Sequence, residues 1–546
     1  MKAVFSPKLK KILPLVFCLS LILTAGLYFT FQKQGLFIDE IYSYGLSNSE
    51  YAPFLKDLKG GDVVGQIYTR QDLMDYVAVQ EGESFGFFQS VYYNQEQDVH
   101  PPLYYFFLHL ASLLTPNRLS PWSGLALNYV FFLALLLLLD ALGRRLFSHP
   151  AARWSTLLCY GLSSLALSAL NMIRMYMLLS FFSLLLAYWL VRLDEAEEKN
   201  ASRRKRWGFL ICFGLTLTVG LLTQYYFVFY AFFLCLTYLL RLLLKRQWGR
   251  ALGFGAVSLG GVGLMVLIFP AVIRHMSSGA LVSGNNALGN LIDLGRWPEQ
   301  LKYYLIGSEV RLWAAVRVAL LCLLICLIFF RRLRPNQEEN RGLSPLWLAL
   351  PAGFALIVIA IVSPVQTLRY VWSLAPALAL GSGWLLDRAL SLLPRTQLEG
   401  PAGRLIQLGA LALLIVFSGW KLLQFPPDYL YPEMPAMNAA LEEEINKGAS
   451  CLYVTNHYYA PMTQDLAQLA LFDEFYVTDT LIRPELSTYL NSRGNPRRLV
   501  VFVDTDEFWS SGFHAEHLLE QYLAESDFSQ ARLLYRFGLS ETWVLE

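Results

Sequence analysis

The sequence predicts a polytopic α-helical membrane protein of about 11 transmembrane helices with external juxtamembrane helices. A small C-terminal extracytoplasmic α/β domain follows the helices. Three observations lead there. The 546 residues are 55% hydrophobic and only 16% charged, too apolar for a water-soluble chain of that length. The apolar residues gather into blocks near the ~20 residues that a bilayer-spanning helix needs. Lysines and arginines collect in alternate connections between those blocks, which is how a multi-span chain is oriented. The net charge of +2 adds nothing by itself.

The first block, Ile12 to Phe31, follows Lys2, Lys8, Lys10 and Lys11. It is long for a signal peptide and lacks a small-residue cleavage site, so it reads as a first span with a cytoplasmic N-terminus. Further apolar runs lie at 122–142, 153–170, 172–191, 207–223, 224–244, 250–272, 311–330, 345–363, 369–390 and 405–424. The basic connections are 143–153, 192–206, 241–250, 331–341 and 388–404, and all are assigned to the cytoplasm. They alternate with poorly basic connections near 171, near 224, at 273–310 and at 363–368. That alternation holds only if 101–115 does not cross. At fifteen residues it is short for a span and is expected on, or dipping into, the outer face. Residues 32–121 then form a large external loop, and the chain beyond Phe425 is external too, in the plasma membrane of the cell envelope.

Two domains result: 1–425 in the membrane and 426–546 outside it. In the tail, "SCLYVTN" and "RRLVVFVDT" read as strands, "APMTQDLAQLALF" and "AEHLLEQYLAES" as amphipathic helices, and "QARLLYRFGLSETWVLE" as a closing hairpin. The glycines of 253–263 lie inside a span, where they signal close helix packing. No phosphate-binding loop or dinucleotide fingerprint appears elsewhere, and nothing points to nucleic acid. Six of the seven cysteines lie in apolar segments; Cys451, alone outside them, has no disulfide partner in its region. Cys322 and Cys326, one helical turn apart without further ligands, read as core packing.

Five stretches carry candidate chemistry. In "GLFIDEIYSYGLS" Asp39 and Glu40 follow the first span at once, inside an apolar collar that includes Tyr42. Partial desolvation makes such a carboxylate a base, although two acids also simply mark a helix start. In "DVHPPLYYFFLHL" Asp98 and His100 stand at a helix mouth fixed by Pro101 and Pro102, with Tyr104 behind them. A histidine there suits a phosphate, a metal or a proton, or else an interfacial belt. Arg174, followed by Tyr176 in "ALNMIRMYMLLSF", sits in an outer turn where basic residues are disfavoured. "LTQYYFVFY" puts Gln224, Tyr225 and Tyr226 at another outer turn, and "SPVQTLRYVWSLAPALAL" puts Arg369 and Tyr370 at a third. Arginine beside tyrosine suits a phosphate; snorkelling or a structural ion pair is the plainer reading of each alone. All map to one face. His109, His149 and the pair His514 and His517 receive no role.

These residues resemble the GT-C superfamily of membrane glycosyltransferases, and within it the family of protein mannosyltransferases and the aminoarabinose transferase of lipid A. The resemblance spans roughly residues 10–390. It rests on Asp39–Glu40 in the first external loop, "HPPLYYFFLHL", "GRRLF" at 143–147, "RMYMLL" at 174–179 and "LRYVWSLAPALAL" at 368–380. It implies a polyprenyl-phosphate sugar donor, transfer with inversion to a lipid, polymer or protein acceptor hydroxyl, and a site on the outer face. Asp39 would be the catalytic base, with Glu40 beside it. His100, Arg174, Arg369 and Tyr370 would face the donor phosphate, and Tyr42, Tyr104, Tyr176, Gln224 and Tyr225 would line the substrates. Some relatives carry a lysine where His100 stands. Asp39, Asp98 and His100 are the side chains that would hold a divalent metal. In some relatives a domain such as the tail covers the acceptor.

Two other functions share parts of this pattern. A transporter or flippase of a lipid-linked sugar would bind the same phosphate without a base, but it commonly shows related halves and a mid-membrane site. An O-antigen-type polymerase would carry its large external loop between later spans.

Overall fold

The structure, a computed structural model, describes residues 7–80, 82–277, 287–329, 343–392, 400–455, 460–505 and 515–546. The basic connection at 331–341, part of 388–404, part of 273–310, His514 and the side chains of Cys322 and Cys326 lie outside the described residues. The chain divides into two compact units. One comprises Met1–Thr30, Val99–Tyr104 and Asn128–Asp428; the other comprises Phe31–Asp98, Tyr105–Leu127 and Tyr429–Glu546.

The first unit is helical. Among the described residues, 7 helices are long and apolar enough to cross a membrane: Ile12–Gln32, Pro121–Leu146, Tyr176–Glu198, Arg203–Thr223, Phe227–Leu244, Trp248–Ile268 and Pro401–Gln424. Several turn their apolar side chains outward. On Trp248–Ile268, Leu252, Leu259 and Leu267 are each at least 74% exposed, the reverse of a water-soluble helix. The fold class is therefore as the sequence indicates, but several expected spans are divided. The run at 153–170 forms two helices, Pro150–Gly161 and Ser164–Asn171. The Ser163 hydroxyl accepts a hydrogen bond from Ala166 N at 3.2 Å and starts the second helix afresh. The run at 311–330 begins with a π-helical turn, Glu309–Trp313, before Ala314–Phe329. The run at 369–390 begins with a tight 3₁₀ segment, Leu368–Leu374, before Ala375–Ser391.

Charge pairing joins the basic segments at one end of this unit. Arg145 meets Glu195 at 2.5 Å, and Arg241 meets Asp194 and Glu198, each at 3.2 Å. Arg250 lies 3.7 Å from Glu197, and Arg144 and Arg153 share Asp140 at 2.8 and 3.0 Å. The segments 143–153, 192–206 and 241–250 thus gather together, as their alternation requires. His149 has a structural partner here: its Nδ1 lies 2.9 Å from Asp387 Oδ1, and the same carboxylate accepts from the backbone N–H groups of Ser148 and His149.

The helix Leu103–Ser112 is ten residues long. At 1.5 Å per residue it covers ~15 Å, about half of a bilayer core. It is too short to cross, which satisfies the alternation of the basic connections.

The second unit is built on one mixed sheet. Its strands are β1 (Ile67–Thr69), β2 (Ser450–Val454), β3 (Glu474–Thr478), β4 (Leu499–Asp504), β5 (Ala531–Phe537) and β6 (Ser540–Leu545). They lie in the order β1-β3-β2-β4-β6-β5. The pairs β2–β3 and β2–β4 are parallel, and the others are antiparallel. The strands and closing hairpin expected in the tail are present. The helix expected over 460–472 is broken at Asp465 into Ala460–Gln464 and Leu466–Leu469. β4, "LVVFVD", is buried throughout, as a central strand covered on both faces must be. One edge comes from far away in sequence: β1 lies in the first long connection and pairs Ile67 with Tyr476 and Thr69 with Glu474. Arg70 secures this edge by donating to the carbonyls of Ala470 and Leu471.

Candidate active site

In the second unit the acidic pair opens the helix Ile38–Asn48, and its two members differ. Glu40 is fully buried. Its Oε2 accepts from Phe37 N at 2.7 Å, closing the first turn, and from Lys33 Nζ at 2.9 Å. Lys33 is equally enclosed and also donates to the Tyr429 carbonyl at 2.8 Å. Asp39 is half-buried in the same first turn. Gln464 clamps the helix entry, accepting from Ile38 N at 2.9 Å and donating to the Leu36 carbonyl at 3.2 Å.

The segment Tyr429–Met434 packs against this entry. Tyr429 and Tyr431 both adopt left-handed backbone, with φ of 63° and 53°. Such strain in bulky residues persists only where surroundings impose it. Gln34 N donates to the Leu430 carbonyl, and the rings of Phe37 and Tyr429 meet at 4.7 Å. Gly35 permits a close approach: a Cβ there would lie 2.9 Å from the Met434 methyl and 3.0 Å from Tyr431 Cβ. The Tyr431 hydroxyl is pushed up by burial and then by the negative charge of Glu40, with Tyr429, Glu433 and Asp39 adding to it. Tyr42 is half-buried with its ring 6.0 Å from Phe54, and Asp98 is half-buried at the end of the helix Tyr93–Gln97.

The first unit holds the remaining candidates. His100 is half-buried ahead of the proline pair, and Tyr104 is fully buried. Arg174 is only 5% exposed, so it does not snorkel into lipid. Its turn is fastened by Asn128, which donates to the carbonyls of Leu170 and Met172 at 3.0 and 2.7 Å. Two residues on, Tyr176 meets Trp372 edge-to-face at 5.4 Å. That contact sets the Arg174 segment against the Leu368–Leu374 turn, where Arg369 stacks over the Tyr370 ring at 5.7 Å. Tyr370 meets Tyr226 edge-to-face at 5.1 Å. The Tyr176–Trp372 contact thus brings the helix that follows Arg174 against the turn that carries Arg369 and Tyr370. Gln224 and Tyr225 turn elsewhere: Gln224 accepts from Tyr225 N, and the Tyr225 hydroxyl pairs with His275 Nδ1 at 2.9 Å.

The helix Trp297–Ser308 borders the same turn. The Tyr304 hydroxyl donates to the Val365 carbonyl, and a Cβ on Gly307 would lie 2.9 Å from Leu368. This helix also walls an apolar groove of about 350 Å³ lined by Leu305, Trp313, Leu350, Phe354, Ile357 and Leu378. Among the described residues, no group of three or more His, Cys, Asp or Glu gathers to hold a metal, so the metal expectation for Asp39, Asp98 and His100 finds no such group.

No protein-family model and no curated protein matches the sequence. The chain is similar to the solved structure of ArnT from Cupriavidus metallidurans bound to undecaprenyl phosphate. Identity is 13% over 97% of each chain, with a TM-score of 0.49. Against apo ArnT identity is 14%, again over 97% of each chain, with a TM-score of 0.46. The oligosaccharyltransferase AglB from Archaeoglobus fulgidus, in complex with an inhibitory peptide and a dolichol-phosphate, matches at 10% identity. That match covers 90% of this chain and 69% of AglB, with a TM-score of 0.40. ArnT and AglB are GT-C superfamily membrane glycosyltransferases.

Sequence reasoning passed over Lys33, His275, Trp372, Tyr429 and Tyr431. Lys33 lies seven residues before Glu40, and such a separation announces a pair only when the intervening turn is known. The two tyrosines in "PPDYLYPEMP" carried a turn signal in their flanking prolines.

Proposed function

We propose that this chain is a membrane glycosyltransferase that moves a sugar from a polyprenyl-phosphate donor to an acceptor hydroxyl on the outer face, with inversion. The observation that carries the reading is the unequal pair at the first helix entry. Glu40 is buried and paired with Lys33, while Asp39, the next residue, is half-buried. A transporter has no use for that division; a transferase needs one carboxylate to take the acceptor proton and a rigid mount to aim it.

The chemistry follows from the residues. Asp39 accepts the proton as the acceptor oxygen attacks the anomeric carbon from the side opposite the phosphate, and the carbon inverts. The bond to the lipid phosphate breaks, and the departing phosphate gains negative charge. Arg174 and Arg369 meet that charge, with His100 as a further donor. The Arg369 guanidinium lies 5.7 Å from the centre of the Tyr370 ring. The groove beside the Leu368–Leu374 turn offers the isoprenoid tail an apolar bed.

The test is transfer by the purified protein in nanodiscs from synthetic polyprenyl-phosphate sugars, with the product linkage read by NMR. An inverted linkage that disappears in Asp39→Asn supports the reading. A retained anomeric configuration, or donor moved across the bilayer uncleaved, overturns it.

A further inference from the structure

The arginines at the basic end of the helical unit are heavily used. Arg144, Arg145, Arg153, Arg192, Arg241 and Arg250 each meet an internal carboxylate. Arg204 and Lys205, in the same end, meet none among the described residues, and both are exposed. They line a cleft of about 470 Å³ together with Ser202, Trp189, Gly208 and Phe209.

The cleft has two chemistries. Its polar mouth is cationic, with the start of the helix Arg203–Thr223 adding the positive end of its dipole. That first turn contains no acid to compensate, an arrangement that costs stability unless an anion is present. Its floor is aromatic: Trp189 stacks on Phe209 with centroids 6.0 Å apart, and the Arg192 guanidinium lies 4.7 Å over Phe209. Gly208 leaves the wall between them open, with nothing near its absent Cβ. A small inorganic anion would use the mouth and leave the aromatic floor bare. A phosphodiester that carries glycerol and acyl chains uses both.

The geometry points to a binding site for an anionic phospholipid headgroup in the cleft between Trp189 and the Ser202–Phe209 turn. Arg204 and Lys205 hold the phosphodiester, and Trp189 and Phe209 hold the glycerol and upper acyl region. The site is separate from the donor-phosphate residues, since it uses none of them.

The test compares wild type, Arg204→Gln/Lys205→Gln and a control, Lys245→Gln/Arg246→Gln, in nanodiscs. The control removes two exposed basic residues of another turn at this end that do not line the cleft. Nanodiscs contain phosphatidylcholine with or without 20% of a photoreactive phosphatidylglycerol. Cross-linked peptides from 189–212 are counted by mass spectrometry. The site predicts strong labelling in wild type and control and a fall of at least about fivefold in Arg204→Gln/Lys205→Gln. Equal labelling in all three proteins, or an equal fall in both variants, overturns it, because basic charge at large would then be responsible. Displacement of the lipid by millimolar inorganic phosphate also overturns it and assigns the cleft to a free anion.

Discussion

Lys33 and Glu40 form a fully enclosed ion pair, Nζ to Oε2 at 2.9 Å, that ties the end of the first helix to the start of the next. Removing one partner leaves a buried charge alone, which typically costs about 3–5 kcal/mol. Lys33→Met should therefore lower the thermal midpoint sharply. Lys33→Met/Glu40→Met, which removes both charges, should recover much of the loss. Identical midpoints for the two variants would show that the pair is not what holds the turn.

Asp39→Asn should separate binding from chemistry. The asparagine fits the same half-buried place in the first helical turn but accepts no proton. Transfer should fall by at least ~10²-fold, the lower range for loss of a general base, while affinity for a polyprenyl phosphate stays near that of wild type. Undiminished transfer would remove Asp39 from the base role. Glu40→Gln should act differently: it orphans Lys33, so its defect should appear in the thermal midpoint as well as in turnover.

The sequence made the long apolar helices, the shortness of the helix in "DVHPPLYYFFLHL" and the strands of the tail legible, because each depends on local period, length or charge. It concealed whatever depends on distant partners. β1 was invisible: "IYT" has no pattern of its own and is a strand only because Tyr476 and its neighbours offer an edge. The division of 153–170 turned on one serine cap, which hydropathy averages away. Asp39 and Glu40 looked equivalent in sequence; burial and the Lys33 and Phe37 N contacts mark Glu40 as the structural member of the pair.

The arrangement of basic segments predicts a topology. In a background without native cysteines, a cysteine at Asn200 should react with an impermeant thiol reagent from one side of the membrane. Cysteines at Gly60 and Thr480 should react only from the other. Labelling of Gly60 and Asn200 from one side and of Thr480 from the other would require Leu103–Ser112 to be counted as a crossing.

Asp465 should make the sheet-containing unit sensitive to pH. Burial raises its carboxyl well above the usual range, and the charge of Asp504 adds to that shift. The unfolded aspartate titrates near ~3.9, so between that pH and the raised native value the folded state holds the extra proton. Stability is then fullest at the acidic end of the window and declines as pH rises, by up to about 1.4 kcal/mol per unit. Cys451 in β2 is fully buried and reports opening through its rate of alkylation. That rate should climb with pH from 5 to 8 in wild type, after correction for the reactivity of a free thiol. In Asp465→Asn the slope should flatten. Parallel slopes would dismiss Asp465 as the cause.

The last prediction concerns the donor phosphate. The Arg369 guanidinium lies 5.7 Å over the Tyr370 ring, a cation–π contact. Its planar fork can also grip two phosphate oxygens at once, whereas lysine offers a single point of charge. Titration of a polyprenyl phosphate should therefore rank wild type first, Arg369→Lys next and Arg369→Ala last. The full loss should be about 10- to 100-fold, the effect of a charged hydrogen bond worth roughly 1.5–3 kcal/mol. His100→Ala and Arg174→Lys should each weaken binding as well, since Arg174 is enclosed beside the same turn and has no room to act as a lipid-facing anchor. An arginine that served only the interface would tolerate lysine without loss. Equal affinities across the whole series would reduce these residues, and the helix that follows His100, to membrane anchoring.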